Sequence, residues 1–151
     1  MRRARLSDAA ELARLHRATI RHVLSKDYKP DVIAVWSSRT SAKKFRASHL
    51  THIRHVVVDG KKIVGFADIG KDGQFGAVYV HKDYIGKGVG SMLIRKIEEL
   101  GRIMGVKKFE FEGSVTAKLF YEKHGYKALK KAIHIVGGKL PMPVYIMRKM
   151  L

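Results

Sequence analysis

Apolar positions recur along this chain in two alternating periods, and the switches between them predict its elements. Residues 2–6 read as a short first strand. Ser7 is placed to cap a helix, with Asp8 and Glu11 in the first turn, where the helix dipole favours negative charge. Leu12, Leu15, Thr19 and Val23 then recur at helical spacing and give that helix one apolar face. Pro30 suits the start of a second helix, continued by Val32, Ile33 and Trp36. A further turn or two is expected over 42–47. Residues 53–58 and 63–69 are β-branched apolar runs joined through Asp59-Gly60, a strong hairpin signal. A third strand is expected over 75–81. The helical period returns with Val89, Leu93, Ile97, Leu100 and Met104. Lys107–Glu112 alternates charge with Phe109 and Phe111, as a strand with one buried face does. A helix follows over 117–124, with Gly125 as its C-cap. The tail turns back at Gly137-Gly138 and returns as a strand over 144–147. The order β, helices, β-β-β, α, β, α, β-β predicts an α/β fold with helices on both faces of a largely antiparallel sheet.

One junction carries more than packing. Between the third strand and the long helix stands Ile85-Gly86-Lys87-Gly88-Val89-Gly90-Ser91. Glycines at the mouth of a helix can present bare backbone N–H groups to an anion, a diphosphate above all. The spacing excludes the two commonest phosphate loops. No Gly-x-x-x-x-Gly-Lys-Ser/Thr string occurs, and the run closes one residue too early for Gly-x-Gly-x-x-Gly. A second stretch, Ser114-Val115-Thr116-Ala117-Lys118-Leu119-Phe120-Tyr121-Glu122-Lys123-His124-Gly125-Tyr126, follows after one helix and one strand.

The two stretches together resemble the signatures of the GNAT superfamily of N-acetyltransferases. The first is similar to that family's acyl-CoA loop, Gln/Arg-x-x-Gly-x-Gly/Ala, with Ile85 in the first position and Gly88 and Gly90 as the matching glycines. The second is similar to Asn-x-x-Ala-x-x-Phe-Tyr-x-Lys-x-Gly-Phe. Ala117, Phe120, Tyr121, Lys123 and Gly125 match, while Ser114 stands for Asn and Tyr126 for Phe. The resemblance covers 53–151 well and the first fifty residues loosely. It implies one N-acetyltransferase domain over 1–151, of GNAT fold, with a mixed, mostly antiparallel sheet whose central strands splay apart. It implies acetyl-CoA as co-substrate and no metal. Val78, Tyr79 and Val80 are then expected along the pantetheine arm. Ile85, Gly86, Lys87, Gly88, Val89, Gly90 and Ser91 are expected around the diphosphate, with Ser114 beside them. Tyr121 is the implied general acid, which protonates the departing thiolate.

Acetyl transfer to an amine also needs the amine to be neutral when it attacks. Glu112, at the end of the strand that lines the gap, is the first candidate base. Asp68, an odd carboxylate in an apolar strand, is the second, and His134 is the third. Glu110 reads as a solvated residue. Tyr28 and Trp36 are candidates for the acceptor pocket, since Tyr, Pro, Trp in that order resembles a bacterial subgroup of the family. His49, His52 and His55 recur every three residues but straddle a loop and a strand start, so they read as surface residues rather than a metal site. Cysteine is absent, which removes disulfides, thiolate metal sites and a cysteine nucleophile. Direct attack by the acceptor is therefore simpler than an acetyl-enzyme.

Charge widens the list of partners. The chain carries 31 lysine and arginine residues against 13 aspartate and glutamate, a formal net charge of +18. From Lys123 to Leu151 no residue is acidic. Such a field attracts polyanions, but no Lys/Arg-rich block or aromatic-interleaved stripe appears. Nucleic-acid contact is expected to be non-specific. A basic nucleic-acid-associated domain and a non-catalytic CoA-binding domain of the same fold are the rival readings. No run of apolar residues is long enough for a membrane span, and no apolar leader follows the basic N-terminus; a cytoplasmic protein is expected. The apolar C-terminal strand leaves a homodimer open. The sequence alone leaves the amine unassigned.

Overall fold

The computed structural model describes all residues 1–151. Strand β1 (Arg2–Arg3) leads through a 3₁₀ turn into α1 (Ala9–His22), α2 (Pro30–Ser38) and α3 (Ala42–Ser48). Strands β2 (His52–Asp59), β3 (Lys62–Gly70) and β4 (Phe75–Val80) follow, then α4 (Val89–Ile103), β5 (Lys108–Ser114), α5 (Lys118–Lys123), β6 (Lys127–Val136) and β7 (Leu140–Met150). The predicted element order holds, with both C-terminal strands longer than the apolar run at 144–147 requires. The opening of α1 differs. Ser7 lies in the 3₁₀ turn, and Asp8 takes the N-cap position of α1 without a side-chain bond to that helix. Its carboxylate accepts from the Arg5 amide at 2.7 Å and pairs with Arg2 at 2.8 Å. Glu11 accepts from the Ile63 amide at 2.8 Å and so ties α1 to β3.

The strands form two sheets rather than one. Four pair antiparallel in the order β1-β2-β3-β4, and three in the order β5-β7-β6. No ladder joins β4 to β5, which is the splay that the resemblance implies. β3 is the central strand of its sheet and is buried on both faces, so its sequence is a near-continuous apolar run rather than an alternating one. On one face Leu93, Ile94 and Ile97 of α4 pack on Val57, Val64, Ala67 and Ile69. On the other, Leu12 and Leu15 of α1 and Phe45 of α3 pack on Val56, Ile63 and Phe66. Each such fully buried aliphatic side chain contributes about 1.5–3 kcal/mol. A third cluster seats α2 on the β6–β7 hairpin through Val32, Ile33, Val136, Met142 and Val144. The α4 stripe is broader than its spacing predicts. Glu98 lies in it, buried, and meets Lys149 of β7 at 2.7 Å, so an ion pair fastens α4, which packs on the first sheet, to the second.

Candidate active site

The gap between β4 and β5 opens into a cleft of about 900 Å³. Its floor is the unpaired edge of β4, including Val78, Tyr79 and Val80, and the facing end of β5, Phe111 to Ser114. One end is the glycine turn. Gly86 and Gly88 have φ of +79° and +87°, a left-handed conformation costly for any residue with a Cβ, and a side chain at either would point into open space. The first helical hydrogen bond of α4 runs from Met92 N–H to Gly88 C=O at 3.0 Å. The amides of Val89, Gly90 and Ser91 precede it and have no helical acceptor. Gly90 is required for a different reason: a Cβ there would lie 2.8 Å from the Phe120 ring, so its absence lets α5 pack on the first turn of α4.

Ile85, Gly86, Gly88, Gly90, Ser91 and Ser114 all line this cleft. Lys87 and Val89 do not. The Lys87 ammonium lies 5.4 Å from the Tyr84 ring centre, and Val89 is buried under β3. The Ser114 hydroxyl accepts from the Ala117 amide at 3.1 Å and so shapes the turn into α5. Ser91 has a partner that spacing did not reveal. His124 Nδ1 lies 2.8 Å from the Phe120 carbonyl, and its Nε2 lies 2.9 Å from the Ser91 hydroxyl. A carbonyl only accepts, so in the neutral ring Nδ1–H donates to Phe120 and Nε2 accepts from Ser91.

Tyr121 lines the cleft between the two sheets and is 6% exposed. The neighbouring Gly113 makes room for Met147, since a Cβ there would lie 2.8 Å from it while only touching the Tyr121 ring at 3.5 Å. The ring packs edge-on against Phe111, with centroids 4.9 Å apart. Burial, and to a lesser degree the neighbouring Tyr79, pushes its phenol above the ordinary range, so it holds its proton.

The carboxylates separate clearly. Glu112 lines the cleft, about half exposed, with Oε2 3.0 Å from His134 Nδ1. Asp68 is not in the lining. It is buried and paired with Arg54, whose Nε donates to Oδ2 at 2.7 Å; that guanidinium also reaches Ser48 and lies 4.8 Å from the Phe45 ring centre. Asp68 packs against Gly76 of β4, where a Cβ would collide with its Oδ1, beside a register shift in the β3–β4 ladder. The pair therefore braces the strand that floors the cleft.

Tyr28 and Trp36 also part company. Trp36 lines the cleft, while Tyr28 is buried behind it. The Tyr28 hydroxyl donates to Pro143 C=O at 2.6 Å and accepts from Val115 N–H at 2.9 Å. Ser114 and Val144 are the last paired residues of the β5–β7 ladder. The phenol thus bridges the next two backbone groups, where the strands have already separated.

Sequence reasoning missed His16. It lines the cleft with its ring centre 4.4 Å from that of Tyr79 and Nδ1 2.7 Å from the Thr40 hydroxyl. Burial first, then the charges of Arg54 and Arg17, lowers its pKa to about 4, so it is neutral at pH 7. Its spacing was the available signal, since residue 16 falls on the same helical face as Leu12 and Thr19. His55, expected at the surface, is partly buried with Nδ1 enclosed; its strand is interior to the sheet, with β1 on one side and β3 on the other.

A GNAT acetyltransferase domain model matches residues 51–128, just over half of the chain. The chain belongs to the GNAT acetyltransferase family. Solved structures agree over nearly its whole length. The GCN5-related N-acetyltransferase of Rhodopseudomonas palustris, also named a class-II aminotransferase, superposes with a TM-score of 0.92 at 28% identity, covering 99% of this chain and 94% of that one. The PaiA N-acetyltransferase of Thermoplasma acidophilum, solved with coenzyme A, gives a TM-score of 0.80 at 18% identity, covering 99% and 97%. The ribosomal-protein-alanine N-acetyltransferase of Brucella melitensis gives 0.71 at 19%, covering 99% and 98%. The last two are similar in fold alone. No curated protein matches the chain by sequence. The splayed strands and the glycine turn belong to one cleft. No helix is long and apolar enough to cross a membrane.

Proposed function

We propose that this chain is an N-acetyltransferase that moves the acetyl group of acetyl-CoA directly to a primary amine. The carrying observation is the meeting, in one cleft, of an unpaired strand edge, a glycine turn with free amides, and a phenol held protonated. The residues present fit the co-substrate. Gly86 and Gly88 leave open space where side chains would stand, and the amides of Val89, Gly90 and Ser91 precede the first helical bond of α4, as a diphosphate site at a helix start requires. The β4 edge at Val78–Val80 has backbone groups to spare for a pantetheine arm that adds itself as a strand. Acetyl-CoA, when bound, supplies the activated acyl group and a thiol leaving group.

Tyr121 Oη is the proton donor to the departing sulfur, a role that suits a hydroxyl whose proton is retained by burial. Glu112, with His134 beside it, takes the proton of the incoming ammonium. It is preferred to Asp68, whose carboxylate is engaged by Arg54 behind the cleft wall. Trp36 and His16 wall the acceptor side. The test is thiol release from acetyl-CoA in the presence of an amine panel, run beside calorimetric titration of acetyl-CoA. Binding with amine-dependent thiol release supports the reading. No binding removes it.

A further inference from the structure

The cleft has two ends of different character. Away from the glycine turn, α1, the α2–α3 junction and the β6–β7 hairpin enclose an acceptor half lined by His16, Trp36, Arg39, Lys44 and His134. α2 closes this half against the hairpin. Val35 packs onto Gly137 at the hairpin tip, and the Arg39 side chain lies across the same glycine. Tyr28 pins the base of the hairpin at Pro143. The space between is open to solvent on the side of Arg39 and Lys44, both of which are exposed.

Its charge is one-sided. Glu112 is the one carboxylate in the cleft lining, and it already faces His134. Arg39 and Lys44 line the acceptor half with no carboxylate partner; neither takes part in any ion pair of the structure. Asp68, outside the lining, is buried against Arg54. An acceptor carrying several ammonium groups would meet two uncompensated cations and a single occupied carboxylate. An acceptor with an anion of its own would pair with those cations and still offer its amine to Glu112.

Resting on the acetyl-transfer reading above, we infer that the acceptor is a small amine carrying its own anionic group, a carboxylate of the amino-acid kind. Arg39 and Lys44 bind that anion. The arrangement separates the two jobs at the acceptor: the cations orient one end while the Glu112–His134 pair takes the proton at the other. Trp36 and the edge-on pair of His16 with Tyr79 leave an aromatic wall for the body of the molecule.

The test uses the full chain and matched acceptors: an amino acid, its carboxamide, a phosphate-bearing amine of similar length, and spermidine. Each kcat/KM is divided by the fraction of free amine, because the amide's amine is the less basic. The acid is expected to exceed its amide by about tenfold or more, the effect of one hydrogen-bonded charge pair. R39Q and K44Q should each pull the acid-to-amide ratio toward one through KM, and R39K should restore part of it. A phosphate-bearing amine that outruns the carboxylate keeps the anion and changes its kind. An amide or spermidine preferred to the acid overturns the inference, while acetyl-CoA titrating normally leaves the transferase reading in place. Acetyl-CoA binding with no acid uptake, read by calorimetry on the CoA complex, likewise overturns it. Loss of acetyl-CoA binding itself is the separate failure of the reading beneath.

Discussion

On the proposed function, Tyr121 and Glu112 divide the chemistry at the residue scale, and each has a distinct kinetic signature. Tyr121→Phe removes one oxygen from a ring otherwise held by Phe111, Phe120 and Tyr126. Turnover should fall by roughly 10²–10⁴-fold, the usual contribution of a general acid, with acetyl-CoA affinity in calorimetry nearly unchanged. Wild-type turnover in a chemistry-limited assay would return this phenol to the core. Glu112→Gln should lose activity at neutral pH and recover part of it as pH rises and free amine accumulates. Asp68→Asn should behave otherwise, because it leaves the buried Arg54 without its counter-charge. A cost of about 3 kcal/mol in stability is expected, read by denaturant titration, with the shape of the pH–rate profile retained. The reverse pattern would make Asp68 the base. Both carboxylates were visible as odd residues in their strands. What distinguished them was invisible there: Arg54, fourteen residues away in sequence, is opposite Asp68 only once β2 and β3 pair.

At the scale of elements, the strand–turn–helix around residues 85–91 is the best-determined part of the site, because its requirements are local. Two left-handed positions need glycine whatever the rest of the fold does, and a helix start leaves free amides by construction. Gly88→Glu meets nothing within 4 Å of its Cβ position but forces a side chain onto a left-handed backbone, so it should lower the melting temperature modestly, and it should abolish acetyl-CoA binding by filling the turn with a carboxylate. Gly90→Glu should abolish binding and also lower the melting temperature, since its Cβ would press on Phe120. Calorimetry and thermal melts on the two variants check both halves; unchanged affinity in a folded Gly88→Glu protein would remove the turn from the site. Tyr28 shows the opposite case. Its sequence neighbours, Pro30 and Trp36, suggested a pocket wall. Its hydroxyl instead takes the place of a ladder bond between β5 and β7, strands more than eighty residues away.

For the whole molecule, the net charge of +18 is distributed so that binding of any polyanion is helped at long range. Lys123 lines the cleft and Lys127, Lys130 and Lys131 follow it along the exposed strand β6. Acetyl-CoA affinity should weaken steadily between 0.1 M and 1 M salt, as the screening length shortens from about 10 Å to about 3 Å. Duplex DNA should bind at low salt with a steep salt slope and no sequence preference. Sequence-selective binding at physiological salt would promote the nucleic-acid reading instead. The order of elements, the α/β class, the glycine turn and the two family signatures were all present in the sequence, because each depends on neighbours within a turn or a strand. The hydrophobic period of α4 and the unbroken apolar run of β3 likewise announce how deeply each is buried. Tertiary structure alone decided the rest. The twist of the three-stranded sheet brings Glu112 to His134, although the register sets them opposite Ile146 and Met142. The docking of α2 and α3 puts Arg39 and Lys44, both exposed, along the cleft lining, and pairing of β2 with β3 takes Asp68 out of it. Backbone geometry and burial are written in short-range periods, whereas the charge partner of a side chain is set by which distant strand folds against it.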